Sequence, residues 1–338
     1  MTPTSSTPGS MKSLSVTPEG TLTLLTEPTP DPEPGQALIR IICAPVNPAD
    51  RMQIEGSYIV HKTPPFRPGI VAVGEVVQVN GGGLLGRVIS GKSVVFAPGP
   101  ELPGTWAEYA LAPVDLCLPL PKGLTPEQSV NLLANAMTAL GLVDAAVDAK
   151  SPALVMTAAA GDLGNMVRQA AADRGITVVD VVRGPKQAAN VRARGGTIVV
   201  DSAAEGFAAA LASAVSRSDA RLAVDAVAGS MTQVLLEALP DGATLINIGR
   251  LSGEPMEFDG LTYLVGKHQT VRGFDVGHYL QSKSLLGALS AARKAAALLK
   301  ASGPTRIQAE VGLAELAERF DVLADNQSAG KTLVFPGR

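Results

Sequence analysis

The sequence predicts an α/β protein: a doubly wound parallel sheet joined to a second, mostly β domain. Three observations carry this. From residue 153 to about residue 249, short apolar runs alternate with helix-length segments. The first 120 residues or so have a different texture, rich in proline and glycine with short β-branched runs. The composition is 46% apolar, 17% charged and only 4% aromatic, which suits close packing of helices on a sheet.

Taken in order, the opening "MTPTSSTPGSMK" has no apolar stretch and no arginine, so it reads as neither a secretory signal nor a good transit peptide. Residues 1–10 are expected to be a disordered tail, with Met11 as a second candidate start. "ALIRIICAPV", "GIVAVGEVVQV", "GKSVVFA" and "WAEYALAP" read as strands, and "DPEPG" and "NGGGLLG" as turns. At "PLPKGLTPEQ" the texture changes. Thr125 is placed to cap a helix, with Pro126 at its first position and Gln128 completing a capping box. The segment "SVNLLANAMTALGLVDAAV" then carries a helical apolar pattern.

The alternation follows. "ALVMTA", "ITVVDVV", "TIVVD", "RLAVDAVA" and "ATLINIG" are strands; "GNMVRQAAADRG", "PKQAANVRARGG", "FAAALASAVS" and "MTQVLLEALPDG" are the helices between them. These strands lack polar alternation, as expected where both sheet faces are covered. Beyond "TVRGFDV" come one long Ala/Leu helix and a closing helix, turn and strand that return to the first domain. The net charge is −3 with no long basic stretch, which argues against nucleic acid as a partner. No apolar run approaches the roughly 18 residues that span a bilayer. Two cysteines, Cys43 and Cys117, suggest neither a disulfide framework nor a four-thiolate metal site, and a cytoplasmic location fits.

The first strand of the alternation ends in "TAAAGDLGNM". Here Ala160, Gly161, Asp162, Leu163 and Gly164 form a strand–loop–helix phosphate loop. Gly161 lets backbone approach a pyrophosphate, Gly164 lets the helix pack closely, and the helix N-terminus supplies free amides. Asp162 stands among them. The same helix dipole stabilises it, it can cap the helix, and repulsion from an exposed neighbouring anion costs about 1 kcal/mol. The next strand selects the nucleotide. Asp180 falls inside that strand, three residues early for a ribose-binding carboxylate, whereas Arg183 falls at its end with Lys186 following. A guanidinium there suits a 2′-phosphate, so the spacing predicts NADPH.

With these segments in place, the chain resembles the medium-chain dehydrogenase/reductases, in their zinc-independent quinone-reductase and 2-enoyl-thioester-reductase branch. The landmarks in order are "VNPADRMQIEGSY", "GTWAEYA", "NAMTA", "AAAGDLG", "VVRG", "NIGRLSGEP", "TVRGF" and "AGKTLVF". The resemblance implies a GroES-like catalytic domain over 11–126 and 273–338, and a Rossmann dinucleotide-binding domain over 127–272. It implies catalysis through Tyr58, which would bond or protonate the substrate oxygen or carbon, with Asn47 beside it in the active cleft. It implies cofactor contacts from Asn135 and Thr138, from Ile248, Gly249 and Arg250, from Phe274 and Val276, and from Lys331. Trp106 is expected to pack rather than react.

Zinc-using relatives carry a cysteine where Asn47 stands and a His–Glu pair where Ile70 and Val71 stand, so no metal is expected. Asp275 replaces an aromatic, and "GIVA" replaces a polar segment; both suggest a changed substrate pocket. The resemblance implies reduction of an activated C=C, with small-molecule partners: an enoyl thioester, an enone or a quinone. It leaves open quinone reduction and a catalytically silent binding protein. It also implies a homodimer, expected through an edge strand near "ATLINIGRL".

Overall fold

The computed structural model describes residues 7–325 and 330–338. Of the expected disordered tail, residues 1–6 lie outside the described residues. Its last residue, Ser10, already begins strand β1, and Met11 is buried. The chain forms two compact units, residues 1–133 with 304–338, and residues 134–303.

The first unit starts with β1 (Ser10–Val16) and β2 (Leu22–Pro28), an antiparallel pair. There follow β3 (Gln36–Pro45), α1 (Pro48–Ile54), β4 (Ala72–Asn80), α2 (Gly83–Ile89), β5 (Ser93–Phe96), β6 (Tyr109–Pro113), β7 (Cys117–Pro119) and α3 (Pro126–Ser129). Helix α2 corrects the expectation of a plain turn at "NGGGLLG". Gly82, at φ +73°, turns the chain and the apolar "LLGRVI" then buries Ile89. Thr125 caps α3 as the sequence predicts, exchanging hydrogen bonds with Gln128.

The second unit holds a π-helical stretch at its entry (Leu132–Met137), then α4 (Thr138–Asp148), β8 (Ala153–Met156), α5 (Asp162–Ala172), β9 (Thr177–Val182), α6 (Pro185–Ala193), β10 (Ile198–Asp201) and α7 (Phe207–Ser218). It continues through β11 (Ala220–Asp225), α8 (Ser230–Ala238), β12 (Thr244–Asn247), β13 (Thr270–Gly273), α9 (Val276–Gln281) and α10 (Leu285–Ala301). The chain re-enters the first unit with β14 (Ile307–Val311), α11 (Leu313–Asp325) and β15 (Lys331–Val334). There β15 pairs with β3, Leu333 opposite Pro45, in a sheet ordered β14-β15-β3-β4-β5-β7 with β6 also on β3. Its core gathers Leu14, Ile39, Phe96, Trp106, Leu316 and Phe320. Trp106 is fully buried, packs on Phe320 at 5.7 Å between ring centroids, and donates its indole N–H to Pro45 O at 3.4 Å.

In the second unit the six strands run parallel in the order β10-β9-β8-β11-β12-β13. Strand order therefore reverses between β8 and β11. In an open α/β sheet, ligands bind beyond the carboxyl ends of the strands at such a reversal. Val155, Val179, Ala223 and Leu245 are fully buried at the sheet's centre.

Three expectations are corrected. The boundary at 272–273 moves to 303–304, because α10 buries Ala291, Ala295, Leu298 and Leu299 along one stripe and packs on α4 and α5 of the second unit. The strand of "ATLINIGRL" is not an edge: β12 is flanked by β11 and β13, so β13 is the edge. A helical stretch long and apolar enough to cross a membrane does exist, Pro126–Asp148, but 67% of its most apolar window is buried, as in the core helix of a folded unit.

Candidate functional site

In the first unit the functional groups collect around α1. Asn47 is its N-cap, and Pro48 occupies the first turn. The Asp50 carboxylate reaches back to accept the Asn47 backbone N–H at 2.7 Å and also accepts the Ile70 N–H at 2.9 Å. One carboxylate thus fixes two separate loops. Asp50 is fully buried, and burial pushes its carboxyl up to about 7, although the two amides and the Lys331 ammonium pull it down. Lys331, at the start of β15, donates to Asn47 Oδ1 at 2.7 Å across 284 positions of sequence. That bond orients the Asn47 amide with its NH2 as the donor end, and the Asn47 side chain also hydrogen-bonds the Asp50 carboxylate. Tyr58 follows α1 by four residues, half-buried, its backbone N–H bonded to Met52 O at 3.1 Å.

The sequence reading named Asn47 and Lys331 for different roles; the structure joins them. It did not assign Asp50 a role, although an Asn-Pro-x-Asp start is itself a capping-box signal. A cavity of about 540 Å3 in this unit lies elsewhere, among Leu14, Leu25, Glu27, Lys62, Phe66 and Arg67, and includes none of these groups.

Zinc does not fit this set. Asn47 Oδ1 already accepts an ammonium, and Ile70 and Val71 offer only hydrocarbon. Among the described residues no three His, Cys, Asp or Glu side chains could hold a metal ion together. Cys43 and Cys117 are buried and free, and burial pushes both thiols up to about 12.

In the second unit the loop after β8 lies at the strand-order reversal. Gly164 is required there: a Cβ would stand 2.3 Å from Ala159 O, so a side chain would force loop and helix apart. Gly161 is exposed, and a Cβ would meet nothing nearer than Ala158 O at 3.8 Å, so a ligand has open access to its backbone. Ala160 and Leu163 are half-buried beside it. The N-cap of α5 is Gly161, with no side-chain cap; Asp162 is the first helical residue, half-buried. The expectation that Asp162 itself caps the helix is therefore corrected, while its place in the positive end of the dipole stands.

Arg183 is exposed immediately after β9, its N–H held by Gln187 at 3.2 Å, and Lys186 is exposed two residues into α6. Asp180 points into the core instead. Asn135 lies within the π-helical turn, an irregularity common at functional sites, and Thr138, buried, opens α4. Ile248, Gly249 and Arg250 follow β12, half-buried, with the Ile248 N–H on Asp225 O at 2.8 Å.

Two expectations near β13 change. The Phe274 ring is taken up by the helix–helix packing: a Cβ on Gly141 of α4 would stand 2.3 Å from it, and Tyr279 packs on it at 5.7 Å. Asp275 caps α9, accepting the His278 N–H at 2.8 Å, which explains the acid without any substrate; Val276 is the first residue of that helix.

The sequence reading also missed Asp225 and Thr157. Buried Asp225, ending β11, accepts from Thr232 Oγ1 at 2.7 Å and from the Val227 and Ala228 amides. Thr157 Oγ1 accepts the Ala226 N–H at 2.8 Å. Together they fix the loops on either side of the reversal.

Comparison with known proteins agrees with this architecture. The alcohol dehydrogenase GroES-like domain family matches residues 33–122, and the zinc-binding dehydrogenase family matches residues 163–291. The chain is 26% identical to a mitochondrial enoyl-[acyl-carrier-protein] reductase of Arabidopsis thaliana, over 82% of this chain and 73% of that protein. It is 26% identical to prostaglandin reductase-3 of Mus musculus, over 75% and 67%. Among solved structures, a putative NADPH:quinone reductase from Mesorhizobium loti superposes with a TM-score of 0.89 at 26% identity, covering 98% of this chain and all of that one.

Proposed function

We propose that this chain, a member of the medium-chain dehydrogenase/reductase superfamily in its zinc-independent quinone-reductase and 2-enoyl-thioester-reductase branch, is an NADPH-dependent reductase of a C=C bond conjugated to a carbonyl or thioester. The observation that carries this reading is the pairing of an open, glycine-built phosphate loop at a strand-order reversal with Arg183 at the end of the next strand.

NADPH, when bound, supplies the hydride. The loop from Ala160 to Gly164 and the first turn of α5 hold the pyrophosphate, and Arg183 with Lys186 holds the 2′-phosphate. Asn135, Thr138 and residues 248–250 position the nicotinamide end, with Val276 and the backbone of Phe274 nearby. Asn47, its amide turned by Lys331, presents an N–H donor to a carbonyl oxygen on which negative charge develops. Tyr58 would bond the same oxygen or donate its phenol proton to the substrate carbon. Asp50 holds the segment that carries both.

A titration with NADPH and NADH tests the cofactor reading. Wild type binds NADPH more tightly, and Arg183→Ala loses that preference by roughly tenfold. Equal affinity for both nucleotides in wild type would overturn it. Steady-state turnover tests the chemistry: Tyr58→Phe lowers enone or enoyl-thioester reduction about a hundredfold. The likeness to the Mesorhizobium loti protein favours a second reading, quinone reduction, in which quinone turnover survives that change. A fold that binds NADPH but turns over neither class would be the silent binding protein.

A cytoplasmic homodimer completes the reading. Its support is the open edge of β13 with Leu251, Met256, Leu261, Leu264 and Val265 exposed close by in sequence. Sedimentation velocity should give twice the chain mass, and Leu261→Glu should give the monomer. Acidic net charge argues against nucleic acid, and the burial of the 126–148 helix against a membrane span.

A further inference from the structure

Asp180 is fully buried in the middle of β9, and Arg168, on α5, is 8% exposed. Arg168 Nη1 donates to Asp180 Oδ1 at 2.7 Å and, with the same nitrogen, to Ala159 O at 3.0 Å. Arg168 Nε and Nη2 and Asp180 Oδ2 have no hydrogen-bond partner among the described residues. A buried ion pair this sparsely bonded is a poor way to stabilise a core, since apolar residues of similar volume do as well or better. Its geometry suggests what it does instead.

Ala159 belongs to the phosphate loop, and it is tied to β9 at both ends of its peptide. Its N–H donates to Val181 O at 3.2 Å, and its carbonyl reaches Asp180 through Arg168. The same carbonyl is the atom a side chain at Gly164 would strike. Strand β9 ends one residue before Arg183. The loop that would grip a pyrophosphate and the residue that would read a 2′-phosphate are therefore held in register by one backbone hydrogen bond and one buried guanidinium.

We propose that Arg168 and Asp180 are positioning residues that set the spacing between the phosphate loop and Arg183, and so determine selectivity for a 2′-phosphorylated dinucleotide. This rests on the NADPH reading above. A ligand held at two points loses most when the spacing between them drifts; one held at the pyrophosphate alone loses less. Burial raises the Asp180 carboxyl to about 6, with the Arg168 charge and hydrogen bond opposing the rise, so the pair is ionised at neutral pH.

The test separates register from stability. Arg168→Met leaves a buried charge alone and is at risk of not folding, so the informative variant is Arg168→Met with Asp180→Val, which removes both charges. Its Tm is expected within a few degrees of wild type. NADPH affinity, by fluorescence titration, is expected to fall about tenfold and NADH affinity no more than two- or threefold, so that the ratio collapses. A folded double variant with the wild-type ratio overturns the proposal, whether both affinities are kept or both fall together. Wild type that binds no NADPH removes the reading underneath it, an outcome visible before any variant is made.

Discussion

Asp50 of the first unit and Asp180 of the second are both buried carboxylates beside a candidate site, and the two are supported in opposite ways. Asp50 of the first unit takes two backbone amides, one on each oxygen, with Lys331 close by through Asn47. Asp180 of the second unit takes one guanidinium on one oxygen, and its other oxygen has no hydrogen bond. Both are raised by burial, Asp50 to about 7 and Asp180 to about 6. In both, burial is the larger influence and the bonded partners oppose it. The difference separates two kinds of work. Amides on a carboxylate fix the course of the backbone that owns them; a guanidinium fixes one element against another.

The sharpest way to break the comparison is to remove a single cation from each region. Arg168→Met strips Asp180 of its partner and is expected to cost about 3–5 kcal/mol. Lys331→Met leaves both amides on Asp50 and is expected to cost less than about 1 kcal/mol while lowering turnover, read by urea unfolding and steady-state rates. Equal losses of stability would erase the distinction. Gly164→Ala comes next. The added methyl must displace Ala159 O, at about 2–3 kcal/mol and with loss of NADPH binding, and a melting curve with a nucleotide titration reads both.

Asp50→Asn follows, at about 1–2 kcal/mol near pH 5. Its signature is the pH slope. An acid whose folded value is raised binds its proton more tightly when folded, so wild-type stability declines as pH climbs from about 4 through about 7. The asparagine variant loses that part of the decline; an unchanged slope would mean Asp50 stays ionised throughout. The smallest effect is Asp275→Ala, which removes the α9 cap for about 1 kcal/mol and leaves kcat/KM unchanged. A change in substrate preference there would return Asp275 to the pocket.

The two regions also differ in how far the sequence disclosed them. The β8–β12 alternation is legible because short, mostly apolar and β-branched runs alternate with helix-length segments, even though Asp180 interrupts β9 and Arg221 interrupts β11, and the placing of Arg183 follows from where the second of those runs ends. The β1–β2 pair is not legible, since "SMKSLSV" and "LTLLTEP" carry serine, threonine and proline and form a two-stranded sheet of their own. Phe274 and Asp275 were read from a motif, and their local duties, filling the space over Gly141 and capping α9, depend on packing that no spacing reveals. Asp180 reads in the sequence as a carboxylate inside its strand, and the structure buries it there, but its partner twelve residues earlier gives no signal, because a lone arginine on an apolar helix face reads as an exception until the strand beneath it is seen. Asn47 and Lys331 are 284 positions apart, beyond any local pattern.

That separation has a consequence for how the protein is made. The second unit is an insertion within the first, which closes only when β15 pairs with β3. On the ribosome, residues 134–303 can therefore complete their unit while the first is still waiting for its last strands. The ammonium that turns Asn47 is carried by the strand that shuts the outer unit. The inserted unit is translated before the strands that close the first, so Lys331 reaches Asn47 only when the whole chain has been made.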